Sequence, residues 1–285
     1  MIQPAQIRTP LVKPKWQLPM GVTESVVAYN CRKYGFPVPA FAMPMWEGAG
    51  NKAIDYGTCT QHGELINNAY WSGGTYGIST CFPTNWGTDR IDVGSIDSSN
   101  PMSGCPTGEI SMFCSVYLDY DALNNSYPRI YDKSDGGSAQ NGWAVYYNKD
   151  SSRFLLQSAG TAVIISSLLY TSSGWYDIAI TAKSGDVKMW VNNVLSTSTT
   201  AFSFPTATTD AAIGNWSFSS DRQWNGNIYD IYIWDSMLTE HQIKILSNDP
   251  YFMFRVPEEL YGYAVTAGGL SIPVAMHHYQ QQRIS

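Results

Sequence analysis

Carboxylates in pairs are the first chemistry to look for in this chain. Cleaving a glycosidic bond takes two carboxyl groups facing one another across a concave surface. The glutamates, Glu24, Glu47, Glu64, Glu109, Glu240, Glu258 and Glu259, are scattered, most of them in turns, arms or a helix. Asp119 and Asp121 lie on one face of a predicted strand, but at its end, where a polar turn is expected. His62 falls in a turn, His241 on a helix, and His277 and His278 in the C-terminal tail, so no histidine shares a strand with a partner for proton transfer. There is no G-x-S-x-G, no phosphate-binding loop and no H-E-x-x-H. The chain reads as non-enzymatic. Sugar binding asks for less: an exposed aromatic ring beside hydrogen-bonding groups. Trp86 in PTNWGTD and Trp216 in GNWSFSSDRQW sit in predicted loops with Asn, Ser and Asp neighbours, Asp221 among them. These are the candidate carbohydrate platforms, and each ring also suits the plugging of an end of a β-sandwich.

The bulk composition limits the partners. With 285 residues, 14% charged side chains, 19 Tyr, 10 Trp and 24 Gly, the chain suits a large all-β domain with many turns. A net charge of -6 gives no reason to expect nucleic-acid binding. The charge is uneven, however. Residues 1–34 carry Arg8, Lys13, Lys15, Arg32 and Lys33 against Glu24 alone. This basic, Pro-rich stretch reads as an extended arm over 1–36, with Arg8, Lys13, Lys15 and Trp16 the candidate assembly contacts or, equally, a solvated tail. Removal of residues 1–34 is expected to leave the sandwich folded and to abolish attachment to an assembly. The first 20 residues lack the apolar core of a signal peptide, and no apolar run is long enough to cross a bilayer. Synthesis in a cytoplasm and release by a route such as lysis are therefore expected. The five cysteines show no zinc spacing and are expected to be reduced, with a Cys81–Cys105 bridge the alternative.

The elements that would position such a site are mostly strands. Residues 109–121 alternate, with Ile110, Met112, Cys114, Val116 and Leu118 on one face and two aromatics, Phe113 and Tyr117, on the other. Residues 142–158 read as a hairpin turning at Lys149–Ser152, and Asn192-Asn193 as a tight turn after VKMWVN. In DIYIWD, Ile231 and Ile233 face opposite to Tyr232 and Trp234. Trp143, Trp175, Trp190 and Trp234 lie on strands and are expected in the core. One helix is predicted, opened by the capping box of Thr239 and Gln242 and carrying Ile243 and Leu246 as its apolar stripe. The tail 250–285 is apolar enough (Leu270, Ile272, Val274, Met276) to pack on the domain or on another subunit.

The order of strands, turns and helix over 174–247 resembles the laminin-G-like, concanavalin A-like jelly roll. So does the front of the domain, at Gly48, Gly50, Asn51, Trp71, Tyr76, Gly77, Phe82, Ile91 and Val93. The resemblance covers roughly residues 44–247 and implies an all-β jelly-roll sandwich over 37–249 with one short C-terminal helix and two arms. It places Trp224 as the aromatic that fills the sandwich before the last strand. Hydrolases of this fold resemble one another in a Glu-x-Asp-x-Glu strand, which this chain lacks. Relatives that bind calcium do so at a sandwich edge; here Asp132 and Asp135 in YDKSDGGS, with Asp210, Asn215 and Asp221, are the oxygen donors available, and they serve equally as turn formers. No cofactor is otherwise implied.

The segment LSNDPYFMFR resembles a run that follows such domains in proteins of tailed bacteriophages. That resemblance implies a virion structural protein, a capsid decoration, head-fibre or tail-associated subunit, which self-associates and contacts other virion proteins. The alternative is a carbohydrate-binding adhesin for host surface glycans. A glycan-cleaving enzyme is the third reading.

Overall fold

The computed structural model describes residues 23–74, 77–82, 87–94, 108–123, 125–135, 141–205, 207–216 and 222–255. Arg8, Lys13, Lys15, Trp16, Tyr76, Trp86, Cys105, Asp221 and the tail from 256 on lie outside these residues.

The chain opens with helix α1 (Glu24–Lys33), followed by β1 (Phe41–Met43), β2 (Lys52–Ala53), β3 (Gly63–Ile66), β4 (Tyr70–Gly74), β5 (Gly77–Phe82) and β6 (Arg90–Gly94). The middle holds β7 (Glu109–Leu118), β8 (Arg129–Asp135), β9 (Asn141–Asn148), β10 (Arg153–Ser158) and β11 (Thr161–Ile165). Then come β12 (Gly174–Lys183), β13 (Asp186–Val191), β14 (Val194–Ser198), β15 (Ala211–Ile213), β16 (Gly226–Trp234), α2 (Glu240–Asn248) and a short 3-10 turn, Phe252–Phe254.

Two antiparallel sheets face each other. The first runs β14-β13-β12-β7-β16-β5-β4, with β1 also paired to β16; the second runs β11-β10-β9-β8-β15-β6-β3-β2. This is the jelly-roll sandwich expected from the sequence. The alternation of β7 does what period 2 demands. Ile110, Met112, Cys114, Val116 and Leu118 point between the sheets, where they meet Trp143, Val145, Tyr147, Phe154 and Leu156 of the second sheet. Trp224 is fully buried among them, and its indole donates to the Tyr117 carbonyl at 3.1 Å. Close by, a β-carbon on Gly226 (φ +131) would stand 2.1 Å from that same carbonyl oxygen, so only glycine lets β16 pass β7 there. The Asn192-Asn193 turn has both residues at positive φ, 49 and 65, as a two-residue hairpin of this hand requires.

The outer face of the first sheet is covered by a second apolar layer. Phe113, Tyr232 and Trp234 pack beneath Ile243 and Leu246 of α2, beneath Val27 and Cys31 of α1, and beneath Tyr251, Phe252 and Phe254. Trp175 and Trp190 sit half-buried at the margin of this layer, not between the sheets. The predicted capping box closes α2, with the Gln242 amide donating to Thr239 Oγ1 at 3.3 Å and the Thr239 amide to Gln242 Oε1 at 2.7 Å.

Two parts of the predicted arms belong to the domain. Residues 24–33 are helical, not extended. Thr23 caps the helix, Glu24 stands in its first turn and Arg32 and Lys33 in its last, which suits the helix dipole. At the other end, residues 251–254 are buried, and Asn30 of α1 donates to the carbonyls of Met253 (3.0 Å) and Arg255 (2.6 Å). The two ends of the described chain are thus clasped together on the first sheet. Cys31, Cys59, Cys81 and Cys114 are free thiols; burial pushes Cys31 up to about 12. No described helix is long and apolar enough to cross a membrane.

Candidate functional site

The outer face of the second sheet carries a connected polar and aromatic cluster along β8. Registry fixes the face: Tyr131, Trp143 and Val145 point into the sandwich, so Asp132, Ala144 and Tyr146 point away from it. At the start of β8, Arg129 lies over the ring of Tyr146, 4.2 Å from its centroid. Tyr146 meets Tyr127 edge-on, with centroids 6.2 Å apart and planes at 81°. Arg222 in turn lies over Tyr127 at 4.9 Å. The Arg129 amide donates to the Arg222 carbonyl at 2.8 Å, which brings these sequence-distant arginines side by side. Further along the strand, Arg129 Nε stands 3.1 Å from Asp132 Oδ2, and Ser134 Oγ donates to Asp132 Oδ1 at 2.5 Å. The Ser134 carbonyl then accepts from the Trp216 indole at 3.2 Å.

Burial sets the electrostatics of this row. It pushes the Asp132 carboxyl up to about 6, although Arg129 and Ser134 pull the other way. Burial also lowers Arg129 from its ordinary value; the nearby charge of Arg222 adds to that, and Asp132 opposes it. Arg129 and Asp132 are each about 1% exposed, whereas Tyr127, Trp216 and Arg222 are half-buried. An arriving ligand would therefore meet two rings and one guanidinium, backed by a buried ion pair.

The structure sorts the sequence candidates. Trp216 joins this cluster; Trp86 and Asp221 fall outside the described residues. Asp132 is a mid-strand residue paired with arginine, not a turn residue free to ligate an ion. Asp135 instead ties down the segment leading into β15, accepting from the amides of Thr208 (2.9 Å) and Thr209 (3.0 Å). The Lys133 ammonium donates to the Thr209 carbonyl and feels the charges of Asp210 and Asp135, so a lysine supplies positive charge among these oxygens. Asn215 donates to the Gly87 carbonyl at 3.0 Å. No group of three or more His, Cys, Asp or Glu side chains placed to hold a metal occurs among the described residues. Asp119 and Asp121 lie in the turn after β7, where they accept from Ser173 Oγ at 3.4 and 3.3 Å.

A carboxylate pair that sequence reading missed lies on the other sheet. Asp177 and Asp230 flank Ser115 on the strands either side of β7. Ser115 Oγ donates to Asp177 Oδ1 and the Ser115 amide to Asp230 Oδ1, both at 2.9 Å. The signal was a repeated Tyr-Asp-Ile, at 176–178 and 229–231, in strands that otherwise carry β-formers. Both face the helical layer. Tyr251 closes over them, its hydroxyl donating to Asp230 Oδ2 at 2.9 Å. Ser247, Pro250 and Tyr251 line the small gap that remains.

Comparison with known proteins agrees with this architecture. The profile of the Laminin_G_3 family, described as the concanavalin A-like lectin/glucanases superfamily, matches residues 96–244, just over half of the chain. A Trypanosoma rangeli sialidase solved in complex with sialic acid superposes with a TM-score of 0.56 at 10% identity, over 76% of this chain and 33% of its own. The binding domain of Paraclostridial Mosquitocidal Protein 1 superposes with a TM-score of 0.57 at 15% identity, over 75% of this chain and 52% of its own. The chain thus spans between a third and about half of the length of these proteins, and at such identities the likeness is one of fold. No curated protein sequence matches.

Proposed function

The chain belongs to the concanavalin A-like lectin/glucanases superfamily, and from that premise we propose that it is a non-catalytic module that binds carbohydrate on the outer face of its second sheet. One observation carries the reading. The first sheet is roofed by α1, α2 and residues 251–254, while the second sheet presents Trp216, Tyr127 and Arg222, each half-buried, in one connected row. Rings with polar groups beside them suit the apolar faces and hydroxyls of a sugar. Catalysis fits less well. The carboxylate pair Asp177 and Asp230 lies under Tyr251, with no room there for a sugar ring. Retention of the protein on a glycan panel, reduced by Tyr127→Ala with the melting temperature unchanged, is the expected result. Product release from any panel member, lost in Asp230→Asn, would overturn the non-catalytic reading.

A second reading, compatible with the first, is display on a particle as a decoration, head-fibre or tail-associated subunit of a virion. It is favoured by the clasp at Asn30, which brings residues 23 and 255 to the roofed side of the sandwich, away from the proposed sugar face. Attachment through the arms would then leave that face outward. Light scattering should find full-length protein as a defined oligomer and residues 23–255 as a monomer. Equal masses per chain for both would argue against assembly through the arms alone.

A further inference from the structure

Resting on the reading of assembly through the arms, we infer that the basic, Pro-rich segment 8–16 of one copy docks on the first sheet of a second copy, along an acidic row of rings. Strand register lays the row out. Tyr70 of β4 pairs with Cys81 of β5, Cys81 with Asn227 of β16, Asn227 with Tyr117 of β7, and Tyr117 with Trp175 of β12. Paired residues point to one side of a sheet, and the inward row of β7 is the aliphatic one, so these five side chains share the outer face. Trp175 touches the margin of the helical layer; Tyr70, at the far end, is 49% exposed, and the three between are half-buried. Tyr117 and Trp175 meet edge to face with centroids 5.4 Å apart.

The turn after β7 supplies the charge. Asp119 and Asp121 stand close enough that, after burial, their charges raise the Tyr117 hydroxyl. Their side chains accept only long hydrogen bonds from neutral donors, Ser173 Oγ at 3.4 and 3.3 Å and, for Asp119, the Ala122 amide at 3.3 Å. Among the described residues neither carboxylate has a cation as partner. Ring faces beside carboxylates suit a cationic side chain on a long apolar stem.

Charge and length select the occupant. Residues 1–22 carry Arg8, Lys13 and Lys15 and no Asp or Glu, with Pro10 and Pro14 among them. Prolines favour the extended polyproline form, which lies well on tyrosine and tryptophan rings. Five strands about 4.8 Å apart make the row about 19 Å long, and about six residues of polyproline at 3.1 Å each cover it, as many as run from Pro10 to Lys15. An arm that leaves one copy and a row that receives it on the next make a heterologous contact, which gives a defined oligomer when the rotation closes a ring.

The test is light scattering on full-length protein with charges reversed in two places. Arg8→Glu, Lys13→Glu and Lys15→Glu together reverse the arm; Asp119→Lys and Asp121→Lys reverse the row. Each variant alone should self-associate about tenfold or more weakly than the natural protein, because like charges then meet. A one-to-one mixture of the two should regain the natural mass, since each arm finds a row of opposite sign on the other variant. Circular dichroism and melting should stay unchanged, and Asp121→Lys alone, at an exposed residue, serves if the row variant misfolds. Association of the row variant as strong as that of the natural protein would overturn docking on this row and leave assembly through the arms standing. A natural protein that is monomeric would overturn both. A mixture no heavier than its components would overturn the placement on a second copy.

Discussion

At Asp132 burial and charge pull against each other, and the balance has a sign that can be measured. Its carboxyl is pushed from 3.8 to about 6 in the fold. A raised folded value means that the folded state holds the proton longer, so the stability this group gives is present below about 4 and is lost as pH rises through about 6. Asn mimics the protonated form. Relative to the natural protein, Asp132→Asn should therefore gain stability between pH 4.5 and pH 7.5, on the order of 2 kcal/mol by linkage, read from urea denaturation at both values. A relative loss over that range would mean that the ion pair with Arg129 outweighs its desolvation. Trp224 gives a simpler expectation. It is fully buried with its indole satisfied, so Trp224→Ala should cost about 3–5 kcal/mol, and a change under about 1 kcal/mol would contradict its place in the core. Single residues were unevenly legible. Trp224 could be placed from its position before Gly226, but Asp132 could not, because YDKSDGGS carries turn residues that stay extended here through pairing with β9 and β15 and through the ion pair with Arg129.

Among the elements, the long strands were readable because one physical rule writes them. An apolar core on one side forces period 2, and β7, β12 and β13 obey it, as does β16 beyond the bulge between Ile228 and Asp230. The capping box likewise announced α2. Helix α1 escaped because its apolar stripe is short, Val26, Val27 and Cys31, and because Pro-rich sequence precedes it. It forms by tertiary contact: Val27 and Cys31 are fully buried against the layer that holds Tyr251 and Phe252. Removing residues 1–34 would expose that layer, contrary to the expectation that the whole arm is dispensable. Deletion of residues 1–22 should leave urea stability within about 0.5 kcal/mol. Deletion of 1–34 should cost on the order of 3 kcal/mol or more. Equal stability of the two truncations would show that α1 contributes nothing to the core.

For the molecule as a whole, the division of labour between the two sheets was not legible, since it depends on which outer face the helices choose. Sequence showed that β7 and β16 carry aromatics on the face opposite their aliphatic row; only the structure shows that α1, α2 and the 3-10 turn converge on that sheet and leave the other's outer face to Tyr127, Trp216 and Arg222. The family match from residue 96 also understates the unit, because β1 to β6, residues 41–94, complete both sheets. Since the ends of the described chain meet, a permuted protein should fold: residue 255 joined to residue 23 through a linker of about ten residues, which can span roughly 30 Å, and reopened in the 149–152 turn. Its circular dichroism and melting should match those of residues 23–255; a molten permutant would mean that the clasp forms only with free ends. The same clasp governs how the molecule bears load. A pull delivered through either arm arrives first at α1 and at the turn it grips, two small elements held by a few side chains and the amide of Asn30. They would peel away one contact at a time while the sheets stay shut. Were the domain tethered on its roofed side, it would have a compliant joint in series with a stiff body, giving by about a helix length before the outer face of the second sheet feels the strain.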